Sequence, residues 1–244
     1  MTSGRTVVSI MRPFTAIILA ALCDCAHATP KPEPIISLAK HGCLDALAQL
    51  QATGGGTFLV PEGVWLCPPM NLTSNTVVYL ERGAILKADV TADWPSLQPL
   101  PNYRVSHDHP LQGRLAPFLG GFGVAGLTIG GENGTVDGSG YFWYEQGGFG
   151  KNETNTRPSL FECVFCTGMV LEDVTFANSS FWTVHPVLSK GLRASRISII
   201  NPTTGDALVV PNTDGFDPDS TSDVLLEDSY IAVNDDSVQL PGSK

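Results

Sequence analysis

Along the chain, apolar residues fall into short alternating runs separated by Gly, Pro and Asn, the period-two pattern of half-buried strands. Thr57 to Val60, Val64 to Leu66, Thr76 to Leu80 and Ala84 to Lys87 are such runs. One stretch breaks the pattern: Ser37 precedes Leu38 to Gln51, where Leu44, Leu47, Ala48 and Gln51 are spaced for one helical face, and Gly54-Gly55-Gly56 ends it. Downstream, Leu127-Thr128-Ile129, Val174-Thr175-Phe176 and Ile197-Ser198-Ile199 share an apolar-polar-apolar core at spacings of 47 and 23 residues, which we read as two coils and one coil of a solenoid. A fourth copy, Ser229-Tyr230-Ile231, comes 32 residues later because the stretch holding Asn212 to Asp219 is inserted before it. No leucine-rich horseshoe pattern or helical pair recurs. The pattern therefore predicts an all-β fold, a parallel β-helix whose coils bury a core only by stacking, with the helix near residues 38–51 capping its N-terminal end. A β-sandwich is the alternative.

Composition narrows the class. The 244 residues are 43% hydrophobic and only 16% charged, enough for a sizeable core in one domain. The formal charge of −10 disfavours nucleic acid or an anionic membrane surface as partner. Residues 1–28 read as a signal peptide, with Arg5 and Arg12 before an apolar run from Phe14 to Cys23 and Ala26-His27-Ala28 as the cleavage signature. That run is too short to span a bilayer. Export is expected, with residues 29–244 as the mature domain. Sequons at Asn71, Asn133, Asn152 and Asn178 agree with a secretory route. Of the six cysteines, Cys43, Cys67, Cys163 and Cys166 remain in the mature chain, for structural disulfides or buried thiols, and three pairings are open. Cys163-x-x-Cys166 alone is weak evidence for zinc.

The chemistry concentrates near residue 214. Asn212-Thr213-Asp214-Gly215-Phe216-Asp217 is followed by Asp235-Asp236, and Asp214 and Asp235 lie 21 residues apart, about one coil. Residues one coil apart stack at roughly 4.8 Å, so Asp214, Asp235 and Asp236 gather in one patch. Carboxylates packed that closely cannot all ionise, and one pKa rises. A protonated acid beside an ionised carboxylate is the equipment of glycoside hydrolysis. Other residues weighed are His185, facing either a substrate groove or the core; Phe181 and Trp182 as a sugar-stacking face; Tyr141 to Tyr144 as a groove wall; and Arg157 and Lys190 as local cations.

Arg157-Pro158-Ser159-Leu160, the run Val174 to Val187, Pro211 to Ser220 and Asp235-Asp236 together resemble the polygalacturonase family, glycoside hydrolase family 28. Gly54-Gly55-Gly56-Thr57, Val60-Pro61-Glu62-Gly63, Trp94-Pro95 and Asn133-Gly134-Thr135-Val136-Asp137-Gly138 are similar to its exo-acting or uncharacterised branch. The resemblance implies a right-handed parallel β-helix that hydrolyses α-1,4-galacturonide bonds of pectin with inversion, as a monomer acting on a polysaccharide. It implies Asp235 as general acid, Asp214 and Asp236 as holders of the attacking water, Asn212 as a polar contact to substrate and Asp217 as a loop tie. No metal or cofactor is implied. An inverting acid and base stand about 6.5 to 9.5 Å apart.

Asn234 stands where the family has Gly before the Asp pair, and a left-handed turn is expected there. The family's Gly-His-Gly and Arg-Ile-Lys motifs should lie beyond Lys244, so the chain reads as a C-terminally truncated member with weak or no turnover of its own. A non-catalytic pectin-binding β-helix, or a hydrolase of rhamnogalacturonan or xylogalacturonan, is the alternative reading.

Overall fold

In the computed structural model, residues 8–9, 29–98, 100, 113–145, 155–202 and 210–240 are described. They form a right-handed parallel β-helix. In one sheet, Ile35–Ser37, Gly56–Val60, Thr76–Leu80, Thr128–Asp137, Thr167–Ala177, Lys190–Ile200 and Ser222–Glu227 follow one another in parallel register. A second parallel sheet stacks Met70–Asn71, Leu119–Phe122, Phe161–Val164 and Val184–Val187. Isolated bridges continue this sheet through Phe216 to Val238. Gly63–Cys67 and Ala84–Ala88 pair in parallel and lead onto Thr135–Asp137.

Parallel register puts like on like. Phe58, Val78, Ile129, Leu171 and Ala194 form one buried column. Leu86, Val136, Phe176 and Ile199 form another, and Leu119, Phe161, Val184 and Phe216 a third. Corners repeat as well. Asp173, Arg196 and Asp228 each adopt φ of 47–53° at the bend of successive coils, and Arg196 clamps Asp173 on the coil beneath with two hydrogen bonds of 2.8 and 2.7 Å.

The structure corrects part of the pattern reading. The 23- and 32-residue steps hold: Thr175 pairs with Ser198, and Ser198 with Tyr230. The 47-residue step is not two coils. Thr128 pairs with Val170 and Thr135 with Thr175, so the strands are neighbours, and Val174–Phe176 stacks on Gly134–Val136 rather than on Leu127–Ile129. The helix also differs. Gly42 (φ 75°) divides it into Leu38–His41 and Cys43–Thr53, and the buried face is Leu38, Ala46, Leu47 and Leu50. Leu44 is 58% exposed, and Ala48 and Gln51 face outward.

Disulfides join Cys43 to Cys67, tying the cap to the first full coil, and Cys163 to Cys166 across a tight corner. Of residues 1–28 only Val8–Ser9 is described, antiparallel to Leu225–Leu226; Phe14 to Cys23 and Asn152 lie outside the described residues. Among the described residues no helix is long and apolar enough to cross a membrane. Asn133 is exposed at a corner, whereas the Asn178 amide is held by Asp137 at 3.0 Å with Ser180 of its sequon buried. The helix face predicts contrasting mutants: Leu50→Ala should cost about 2 to 5 kcal/mol as a cavity in the cap, and Leu44→Ala within about 0.5 kcal/mol. Denaturant unfolding of the two variants reads the difference, and equal costs would restore the face containing Leu44.

Candidate active site

The second sheet carries a strip of outward-pointing residues, one per coil. Because Glu162 pairs with His185 and Val184 with Phe216, the strip runs Asn71, Gly120, Glu162, His185 and Asp217. Asp214 lies beside it. Its carbonyl accepts the Thr183 amide at 3.0 Å, while the Gly215 amide donates to the Asp236 carbonyl at 2.8 Å. Phe216 bridges Val238, an offset of 22, so the residue registered on Asp214 is Asp236 and Asp235 is its diagonal neighbour.

The three predicted carboxylates do come together. One oxygen of each of Asp214, Asp235 and Asp236 lies within 4.8 Å of the others, with Asp214 buried and the other two exposed. Nearest oxygens at this distance are closer than the span expected between inverting acid and base. Two backbone donors reach Asp235: Asn212 N–H to Oδ2 at 2.6 Å and Asp236 N–H to Oδ1 at 3.1 Å. Asn212, in a left-handed conformation (φ 61°), thus enters the site through its backbone. Burial, then repulsion from Asp235, pushes the Asp214 pKa up to about 7. Among the described residues no Lys or Arg forms an ion pair with any of the three.

Asp217 N–H donates to the Val184 carbonyl at 2.8 Å, and its own carbonyl accepts the Asp219 amide at 2.9 Å. Asp217 is 3% exposed, and burial, then Asp214, raises its pKa to about 8. Beneath it on the strip, His185 is 2% exposed, its Nδ1 lies 3.2 Å from Glu162 Oε2, and its ring packs against Trp182 at 4.4 Å. Burial drops its pKa to about 3, outweighing Asp219, so the ring is a neutral, enclosed imidazole. His185 is thus a buried, hydrogen-bonded histidine beneath Asp217 on the strip. Arg114 pairs with the other oxygen of Glu162. Glu162 and Arg114 were not singled out from sequence. The repeat itself contained the signal for Glu162, since 162, 185 and 217 are separated by the same 23 and 32 residues.

Several expected contributors sit elsewhere. Arg157 is buried, packed over Tyr144 and Phe181 and donating to the Pro211 carbonyl at 2.5 Å, where it braces the site loop. Lys190 faces Asp223 at 3.6 Å on the other sheet. Phe181 is buried; Tyr141–Tyr144 belongs to the helix Gly140–Glu145, with Tyr144 buried and Tyr141 exposed. Asn234 stays out of the left-handed region, because its amide instead donates to the Val210 carbonyl at 3.2 Å. A further support is Asn201. Its amide bridges Thr183 Oγ1 (2.8 Å) and the Thr213 carbonyl (3.1 Å), and its oxygen accepts the Ser179 amide, holding Thr213 next to the catalytic candidate Asp214.

Comparison with known proteins agrees with this geometry. Residues 57–243 match the model of Glycosyl hydrolases family 28. A probable polygalacturonase of Vitis vinifera is 36% identical over 198 residues, 80% of this chain and 39% of that protein. An exopolygalacturonase of Zea mays is 26% identical over 193 residues, 78% of this chain and 42% of its own length. The chain thus spans about two-fifths of the curated relatives it matches. Among solved structures, a hyperthermoactive exopolygalacturonase from Thermotoga maritima shares the fold with a TM-score of 0.67 at 23% identity, covering 86% of this chain and 56% of that one. A polygalacturonase from Erwinia carotovora gives 0.60 at 19% identity, over 88% and 59%. With its coils, its Asp214, Asp235 and Asp236 cluster and these matches in agreement, the chain belongs to glycosyl hydrolase family 28.

Proposed function

We propose that this chain carries the catalytic coil of a secreted hydrolase of α-1,4-galacturonide bonds in pectin and polygalacturonate. The carrying observation is that one buried and two exposed carboxylates share a patch less than 5 Å across, on a strip that continues along the second sheet. Three acids this close retain a proton among them near neutral pH, which supplies both an acid and a base. Family resemblance gives the donor role to Asp235, with Asp214 and Asp236 on the water. In the unliganded geometry Asp214 is the desolvated member, with its pKa pushed up to about 7 by burial and then by Asp235, while Asp235 accepts two backbone amides. The two assignments differ by one short proton transfer within the cluster. Inversion is part of the proposal, with water entering as substrate spreads the carboxylates.

The unmodified chain should release reducing sugar from polygalacturonate only weakly, and Asp235→Asn should lower that release by at least about 100-fold, as loss of a general acid does, while leaving binding intact. Binding of polygalacturonate with no turnover in the unmodified chain would instead establish a non-catalytic pectin-binding β-helix. Export through the segment 1–28 belongs to the same proposal, and N-terminal sequencing of protein secreted by a eukaryotic host should find Thr29 first; an intact Met1 would contradict it.

The buried acids also link stability to pH. Burial pushes Asp214 and Asp217 up to about 7 and about 8 in the folded chain, from the ordinary aspartate value of 3.8, so folding takes up protons. Their contribution is complete below about pH 4 and is lost as pH rises through about 7 to 8. Asp217→Asn should raise the unfolding temperature at pH 8 and lose that advantage toward pH 4. A pH-independent effect in differential scanning calorimetry would contradict the raised value.

A further inference from the structure

Away from the acidic cluster, a cavity of about 470 Å³ lies over the same strip, where Asn71, Gly120 and Glu162 form its floor. Its walls include Pro95, Leu97, Pro117, Phe122 and Val164, and among the described residues the basic side chain lining it is Arg114. Arg114 and Glu162 pair inside it, with side chains only 14% and 9% exposed. The cationic charge is therefore met within the protein. Exposed Phe122 extends the apolar rim through an edge-to-face contact with Phe165, ring centroids 5.4 Å apart. From Gly120 to Asp217 the strip rises three rungs, about 14 Å at the spacing of paired strands. A short oligosaccharide laid along it would occupy both places.

A free galacturonate carboxylate suits this cavity poorly. It would shed water against proline and leucine and meet an arginine already paired with Glu162, on a chain of net charge −10. A methyl ester has no charge to desolvate and a methyl group to bury. We propose that the cavity is a remote subsite for a methyl-esterified galacturonate unit, so that esterified pectin is held there while the acidic cluster works on a neighbouring bond. The inference rests on the galacturonan reading above.

Isothermal titration calorimetry of the full chain with a short oligogalacturonate and with its methyl-esterified counterpart tests it. The ester should bind about tenfold tighter, the scale of one unpaired buried polar group. Ala116→Trp, which fills the cavity from its half-exposed rim, should abolish the difference. Glu162→Gln removes the negative charge that meets Arg114 in the cavity and should reverse the preference toward the free acid. Equal or tighter binding of the free acid to the unmodified protein would overturn the subsite alone, whereas no binding of either ligand would overturn the galacturonan reading with it. A glycan found by mass spectrometry on Asn71, whose side chain lines this cavity, would also overturn the subsite.

Discussion

In-register stacking of parallel coils is the constraint on which everything else depends. Each coil must repeat, at about 4.8 Å, the direction of every side chain in the coil beneath it. Apolar positions become continuous columns, as from Phe58 to Ala194, and left-handed corners recur at Asp173, Arg196 and Asp228. No coil buries its core alone. The same rule applied to polar residues produces the functional strip, because a side chain directed outward on one coil has an outward neighbour on the next.

Stacking like on like stabilises hydrocarbon and penalises charge. Along the strip the chain meets that penalty differently from place to place: Glu162 is paired with Arg114, His185 stays neutral, and Asp217 and Asp214 take up protons. Toward the open side, Asp235 remains exposed and held by backbone amides. The result is a gradient from compensated ion pair to uncompensated acid cluster. Chemistry is expected at the uncompensated end, where a proton is shared, and recognition of a neutral group at the compensated end. Asn201 and Arg157 hold the connecting loop at Thr213 and Pro211, so the acids are positioned by buried amides and a guanidinium rather than by loop sequence alone.

Much of this was legible from spacing. Strand edges, the 23- and 32-residue steps and the gathering of Asp214, Asp235 and Asp236 follow from period-two patterning and one coil length. The 47-residue step misled because Thr128–Asp137 carries two apolar-polar-apolar triplets around its corner, and the wrong one was matched across the long insertion after Asp137. The helix face misled because Gly42 breaks the helix and lets Cys43–Thr53 rotate independently. Arg157 looked like a substrate cation, since sequence does not show the rings of Tyr144 and Phe181 that enclose it. The raised pKa of Asp217 was not legible, because it comes first from burial, which the sequence does not show.

The central claim is that stacking forces these acids to share protons near neutrality. Titration of the aspartate side-chain carboxyl carbons by ¹³C NMR tests it most directly. Asp214 should titrate near pH 7 and Asp217 near 8, and the Asp214 midpoint should fall when Asp235→Asn removes the neighbouring charge. If every aspartate instead titrates below about pH 5, close to its unperturbed value, the acids are not coupled and the site described here is not a proton-sharing one.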